Sequence, residues 1–372
     1  MARALVSGAL AVKPGNAGNA WSRLSWTEGL RRLGAEVCFV EQIEAPSFEQ
    51  LEWFRSITER FGLAGSAWLV TADGTVLQGP GREELLDAAA AADVLLNLGG
   101  HLRVRELFDK PRRRVYLDDD PGFTQFWHVA GNGGARLEGH ELFFTFGANI
   151  GRPDCEIPAG GVDWRVTRPP VVLDDWPVAT TGDHDRFTTI ATWRGPYARV
   201  EVNGHVYGLK LDEFRKFAEL PTRAPQRFEL ALDIHPAETP DLELLAATGW
   251  QLVDPRAVAS TPEAFQSYVH GSGAEFSVAQ GMYVETGSGW FSDRSVRYLA
   301  SGKPVLVQDT GFSRELPTGE GLFAFSTLEE AVSGAARIAA DYEAHCRAAR
   351  ALAEEWFDSD RVVAAMLEDA LA

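Results

Sequence analysis

The sequence predicts an α/β protein made of two doubly wound domains in series, and three observations predict it. Short apolar runs alternate with helical patterns through residues 1–150, a Pro-rich stretch interrupts them, and a second alternating series follows. Strands of parallel sheets are buried on both faces and read as continuous apolar runs, as Val94-Leu95-Leu96 does. The length of 372 residues suits about two domains of ordinary size.

In the first series, strands are expected at 4–10, 36–40, 67–70, 94–98, 114–117 and 142–146, with helices at 20–33, 47–61 and 82–91. Gly34 falls just past the first helix, where a left-handed residue commonly ends a helix. The linker is Ile157-Pro158-Ala159-Gly160-Gly161 and then Arg168-Pro169-Pro170. Adjacent prolines continue neither a helix nor a central strand.

After an acidic loop at Asp183-His184-Asp185, strands are expected at 187–192, 228–232, 250–253, 275–278, 305–307 and 322–325. Helices fall at 211–219, 242–248, 262–269, 293–300 and 328–343, the last with a capping box of Ser326 and Glu329. Asp358-Ser359-Asp360 can cap a final helix running to Leu371. The domains are therefore read as 1–168 and 169–355, with 356–372 a helix able to pack back on the first. Two such lobes about a hinge are expected to face a cleft. Ligands of doubly wound sheets lie beyond the carboxyl ends of the strands.

Composition narrows the function. The net charge of -18, from 53 acidic against 35 basic residues, repels polyphosphate backbones and argues against nucleic-acid binding. Three dispersed cysteines (Cys38, Cys155, Cys346) form no CxxC pattern, which fits a reducing cytoplasm rather than a disulfide framework. No run of 18 apolar residues is present, so no membrane span is expected. Several of the eleven Trp sit in Gly-rich contexts, where indole can wall a pocket or fill a seam.

Residues 287–310, GSGWFSDRSVRYLASGKPVLVQDT, are the most informative segment. A Gly-rich loop containing Gly289 and Trp290 runs into Ser292-Asp293, which can cap a short helix. Such a loop-to-helix start offers backbone N–H groups and a positive dipole end to an anion. A diphosphate fits there, with Ser292 adding a hydroxyl donor and Asp293 capping or accepting from sugar hydroxyls. Ser301-Gly302 stops the helix, and Lys303-Pro304 leads into an apolar strand.

This segment carries a resemblance. Leu299-Ala300-Ser301-Gly302-Lys303-Pro304-Val305-Leu306 resembles the A-x-G-x-P-V stretch near the donor site of GT-B glycosyltransferases. Gly321-Leu322-Phe323, with 326–331, resembles the strand before their C-terminal helices. Residues 13–16, 120–127, 143–151, 274–278, 288–294 and 305–312 are similar to a bacterial group called glycosyltransferase family 1. The resemblance implies two Rossmann-like domains and transfer of a sugar from a nucleoside-diphosphate sugar to an acceptor. It calls for no cofactor and no metal. Many retaining members place two glutamates eight positions apart before the A-x-G-x-P stretch. Gly289 and Arg297 stand there instead, which leaves Glu275 or Glu285 as replacements and the stereochemistry open.

The resemblance also gives roles to basic groups. Arg194, past the first strand of the second series, and Lys210, at a helix start, would neutralise a leaving diphosphate; a guanidinium fork and an ammonium point charge suit that task. His270-Gly271-Ser272-Gly273, ahead of Glu275, would make a turn near the donor, and Leu252-Val253-Asp254-Pro255 would lie near the base.

The first series would supply the acceptor side. Gly15, Asn16 and Gly18 form a small-residue loop after the first strand that is neither a Walker loop nor GxGxxG. His101 follows Gly99-Gly100 at a strand end, where it could exchange a proton near neutral pH. In Asp118-Asp119-Asp120 the cleft residue and acceptor base is read as Asp120, without metal. Two other readings share this architecture: a nucleotide-sugar epimerase, and a non-catalytic protein that binds nucleotide sugar or glycan.

Overall fold

The computed structural model describes residues 2–372. Contacts divide the chain into two compact units. One is Met1–Phe146 with Pro158–Val172 and Asp358–Ala372; the other is Gly147–Ile157 with Leu173–Phe357. The sequence boundary at 168 is therefore displaced. Residues 147–157 belong to the second unit because Asn149 hydrogen-bonds Gly287 and Gly311 there, and no local pattern announces that long-range contact.

The first unit is an eight-stranded sheet. Its strands are β1 (Arg3–Ser7), β2 (Glu36–Gln42), β3 (Ala67–Val70), β4 (Val76–Gln78), β5 (Val94–Leu98), β6 (Arg113–Asp118), β7 (Leu142–Thr145) and β8 (Trp164–Val166). They lie in the order β4-β3-β2-β1-β5-β6-β7-β8, all pairs parallel except β3 with β4. The short edge strands β4 and β8 carry little apolar patterning and escape a sequence reading. Helix Arg82–Ala91 packs on the sheet over a core that includes Leu5, Val40, Trp68, Leu85 and Leu95, while Ala17–Arg32 lies against β1 and β2 and Phe48–Arg60 sets Phe54 against Phe39. Gly34 adopts φ +82° and its N–H bonds to the Arg31 carbonyl, closing the first helix. The C-terminal helix Ser359–Leu371 packs on Ala17–Arg32, where Gly29 leaves room for Val363: a Cβ there would lie 2.7 Å from the valine Cγ2.

The second unit holds β9 (Asp183–Thr192), the hairpin β10 (Glu201–Val202) and β11 (His205–Val206), β12 (Arg227–Asp233), β13 (Gln251–Val253), β14 (Ser272–Ser277), β15 (Val305–Gln308) and β16 (Leu322–Phe325). Apart from the hairpin these form a six-stranded parallel sheet ordered β13-β12-β9-β14-β15-β16. Aromatic rings fill its core, with Phe276 stacked on Phe325 and Phe214, Phe228 and Trp250 around them. Three local readings shift. The acidic 183–185 begin β9 rather than a loop. The capping box is Thr327 with Glu330, one residue later than Ser326 with Glu329: Thr327 Oγ1 accepts the Glu330 N–H and Glu330 accepts the Thr327 N–H. The helix expected over 328–343 is two, Leu328–Ala340 and Tyr342–Trp356, broken at Asp341.

Both sheets reverse direction of strand order once. The reversal lies between β1 and β5 in the first unit and between β9 and β14 in the second. In open α/β sheets, the crevice at the carboxyl end of such a switch point is where ligands bind.

Candidate functional site

At the switch point of the second unit, β9 ends into Trp193-Arg194-Gly195 and β14 into Val278-Ala279-Gln280. Residues 287–292 are laid against the carboxyl end of the neighbouring β15. The Gly289 N–H donates to the Thr310 carbonyl at 2.7 Å, and the Asn149 amide donates to the carbonyls of Gly287 (2.9 Å) and Gly311 (3.1 Å). Trp290 packs its ring on Tyr283, centroids 4.5 Å apart, and its backbone N–H donates to Ser288 Oγ.

Ser292 is the N-cap of helix Asp293–Ala300, its Oγ accepting the Arg294 N–H at 3.2 Å. That use leaves the hydroxyl hydrogen uncommitted. Asp293 is the first helical residue and receives the Arg297 guanidinium. Arg297, which stands where the resembled enzymes carry a glutamate, is buried and lies over the Trp176 ring.

Arg294 ties this helix start to the sheet. Its guanidinium donates to Glu275 Oε1 (2.6 Å), to the Ile190 carbonyl of β9 (2.8 Å) and to Ser277 Oγ of β14. Glu275 is wholly buried and its pairing holds the Arg294 charge despite desolvation. Glu275, offered as a replacement donor contact, is thus committed to holding the helix start at Ser292 through Arg294. Glu285 accepts the Gly208 N–H (2.7 Å) and pairs with His205 (2.8 Å), tying β11 and the residues after it to helix Gly281–Glu285.

Arg194 follows β9, with its side chain 60% exposed and its Nε donating to Glu238 at 2.6 Å. Lys210 opens helix Lys210–Arg215 after the N-cap Leu209. Ser272 is a correction. Rather than a turn, it is the first residue of β14, at the strand end opposite the helix start; its buried Oγ bonds Thr188 (2.6 Å) and the Tyr268 carbonyl (2.7 Å). A hydroxyl satisfied in that way closes the amino edge of the sheet. Leu252 and Val253 lie on the edge strand β13, which Asp254 ends by capping helix Pro255–Ala259.

The first unit gathers charged groups at its own switch point. Asn16 caps helix Ala17–Arg32 by accepting the Asn19 N–H at 3.0 Å. The helix therefore begins three residues earlier than the sequence reading, and Gly18 lies in its first turn rather than in a loop. Gly15 faces open space.

The loop 8–16 is clamped from both sides. Asn19 Nδ2 donates to the Ala9 carbonyl (2.6 Å), and buried Glu41 of β2 accepts the N–H groups of Ala11 (2.5 Å) and Val12 (3.1 Å). Glu41 is pushed up to about 7, mainly by burial. Sequence reasoning missed it, although an acid directly after the apolar run 37–40 was the available signal.

In the acidic triplet, Asp118 is buried and structural: it accepts from Thr124 (2.8 Å), Gln125 (2.7 Å) and Thr145 (2.7 Å), and burial still pushes it up to about 6. Asp119 pairs with Arg23 at 2.6 Å; burial opposes its charge, but Arg23 and Lys13 outweigh that and hold its carboxyl low. Asp120, favoured from sequence, donates its backbone N–H to Asp118 Oδ1 at 3.3 Å. His101 stands among the same charges. Burial first, then Arg23 and Arg136, lower it to about 3, so it is neutral near pH 7.

The raised carboxyl of Glu41 predicts a pH dependence. An acid whose folded value lies above its unfolded one stabilises the fold most below the unfolded value, and that contribution is lost as pH rises through the folded one. For Glu41 the window runs from 4.5 to about 7. Denaturant unfolding should show wild type losing up to about 3 kcal/mol relative to Glu41→Gln between pH 4 and 8, as roughly 1.4 kcal/mol per unit implies. Parallel pH profiles for the two proteins would contradict it.

Among the described residues, no group of three or more His, Cys, Asp or Glu side chains is placed to hold a metal ion, and no helix is long and apolar enough to cross a membrane. The three cysteines are free thiols.

Neither a protein-family model nor a curated protein sequence matches the chain. Its structure is nevertheless similar to solved structures along its whole length. An alpha-glucosyltransferase (AGT) in complex with UDP superposes with a TM-score of 0.61 at 11% identity, covering 100% of both chains. Anabaena Alr3699/HepE in complex with UDP-glucose gives 0.58 at 13% identity, covering 99% of this chain and 100% of that one. The fold is GT-B. Sucrose-phosphate synthase (tll1590) from Thermosynechococcus elongatus, at 0.52 and 12% identity with 99% and 98% covered, shares the GT-B fold.

Within this GT-B chain, the second unit brings Arg194, Gly289, Trp290, Ser292 and Asp293 to the carboxyl side of its sheet and leaves Ser272 at the other edge. The first unit brings Asn16, His101 and the acidic triplet to its carboxyl edge and adds Arg23 and Glu41. Asn149 and Arg294 were missed as well. Asn149 acts across about 140 residues of sequence, as its bond to Gly287 records, and Arg294 reads locally as a solvated helix residue.

Proposed function

We propose that the chain is a glycosyltransferase that takes a sugar from a nucleoside-diphosphate sugar, the second unit binding the donor and the first the acceptor. The observation that carries this reading is the 287–293 loop-to-helix start at the carboxyl edge of β14 and β15, in a GT-B fold whose similar structures are described with UDP and UDP-glucose. Backbone N–H groups of the opening helical turn at Asp293, the Ser292 hydroxyl and the positive helix end would hold the diphosphate. Arg194 and Lys210 would meet the charge that develops as it leaves. On the acceptor side, Asp120 would take the hydroxyl proton. Neutral His101 and the Arg23–Asp119 pair would orient the acceptor. Trp290 and Asp293 would line the sugar side of the donor.

A thermal-shift panel of UDP, GDP, TDP, ADP and CDP tests the donor half, because a ligand that binds the native state raises its Tm. One diphosphate is expected to stand out and so name the base; a panel without any shift would end the reading. Arg194→Ala is expected to lower turnover at least about tenfold, or about 1.4 kcal/mol, with its Tm preserved, since the side chain is largely exposed. Full activity in the folded variant would remove Arg194 from the site.

A further inference from the structure

Gln280 is the last residue before helix Gly281–Glu285, at the carboxyl end of β14 in the switch point of the second unit. The residue is 5% exposed, and its side-chain carbonyl oxygen Oε1 is buried without a hydrogen-bond partner. Buried amides are nearly always paired, so an unpaired one asks for an explanation.

The amide is held where it is. It lies against Gly195, where a Cβ would come 1.7 Å from Nε2 and 2.8 Å from Cδ. The adjoining Ala279 N–H donates to Gln308 Oε1 at 3.1 Å, and Gln308 Nε2 donates to buried Glu213, itself paired with Lys216. On the other side, Gly281 meets the Gly208 backbone so closely that a Cβ would fall 2.6 Å from its carbonyl oxygen. The backbone on both sides is pinned, and the amide sets its Nε2 against Gly195, next to Arg194, with Oε1 3.1 Å from a Cβ built there.

We propose that Gln280 is a hydroxyl-reading residue of the donor site, its Oε1 accepting from a hydroxyl of the bound nucleotide sugar. The proposal rests on the donor reading above. A preorganised acceptor left unpaired in the free protein costs stability that a ligand hydroxyl recovers. The hydroxyl belongs either to the ribose or to the transferred sugar, and the two separate by experiment.

Gln280→Met keeps the unbranched shape and removes the acceptor. Thermal shifts are measured for wild type and variant with UDP and UDP-glucose, or with the diphosphate that wins the panel and its glucose conjugate, together with donor KM and kcat. The ligand-free variant is expected to melt at or above wild type, because an unpaired polar atom has gone. Its donor KM is expected to rise about fivefold or more. A shift weakened for both ligands assigns the ribose hydroxyl; one weakened for UDP-glucose alone assigns the sugar.

A lower ligand-free Tm with both shifts and KM intact would make the amide a packing element and overturn the proposal. If wild type itself responds to none of the nucleotides, the donor reading has failed and the role of Gln280 falls with it.

Discussion

Replacing Arg294 by Met is expected to destabilise the protein by about 3–5 kcal/mol, because it leaves Glu275 buried and charged without its partner. The Glu275 side chain is 0% exposed and already has one oxygen unpaired, so little else can take up its charge. Glu275→Leu should cost a similar amount, by stranding a guanidinium that is 15% exposed. Combining the two should recover much of the loss, since buried ion pairs are often replaced by apolar groups at little net cost.

The double variant then separates structure from function. The Ser292 helix start would no longer be tied to the Ile190 carbonyl and Ser277, so nucleotide binding should stay weak after stability has returned. Urea unfolding of the four proteins in the cycle, with nucleotide thermal shifts on each, reads both effects. Additive single effects would show that the pair is not coupled. Full nucleotide binding in the double variant would show that it does not position the turn.

Gly289→Ala is expected to lose nucleotide binding by at least tenfold and to cost about 2–3 kcal/mol of stability. Gly289 has φ +76°, a left-handed conformation that costs roughly 1–2 kcal/mol for a residue with a Cβ. The added methyl would also lie 2.9 Å from the Asn149 amide and 3.0 Å from its backbone nitrogen. That amide holds the carbonyls of Gly287 and Gly311, so it cannot move aside without freeing the loop. Asn149→Ala provides the cross-check. It removes the obstacle and the clamp together, so it should also weaken nucleotide binding without backbone strain. A Gly289→Ala protein with wild-type Tm and nucleotide shift would mean that the turn tolerates another conformation.

The resembled glutamates offer a further comparison. Arg297 occupies the second of the two positions and is buried over Trp176, so it cannot take over a carboxylate's contact with a ligand hydroxyl. Gln280, just beyond the carboxyl end of β14, carries an acceptor oxygen but no charge. A neutral amide there suits hydroxyl recognition without adding to the -18 net charge that a diphosphate must approach.

By itself, the sequence determined the alternation of strands and helices and the loop-to-helix start at Ser292. Apolar runs, Gly and Pro punctuation and capping residues act over a few neighbouring positions, so they can be read in order; 67–70, 94–98, 293–300 and 322–325 have the bounds they were assigned. Only the tertiary structure decided which polar groups meet. Asn149 crosses to Gly287, Arg294 to Glu275, Arg23 to Asp119, and Gln280 to Gly195. It also moved Ser272 to the far edge of its sheet, because six residues of extended strand carry a side chain about 20 Å from one end to the other. Burial sets the charge of Glu41 and His101, and burial is a property of the packed chain rather than of residue order.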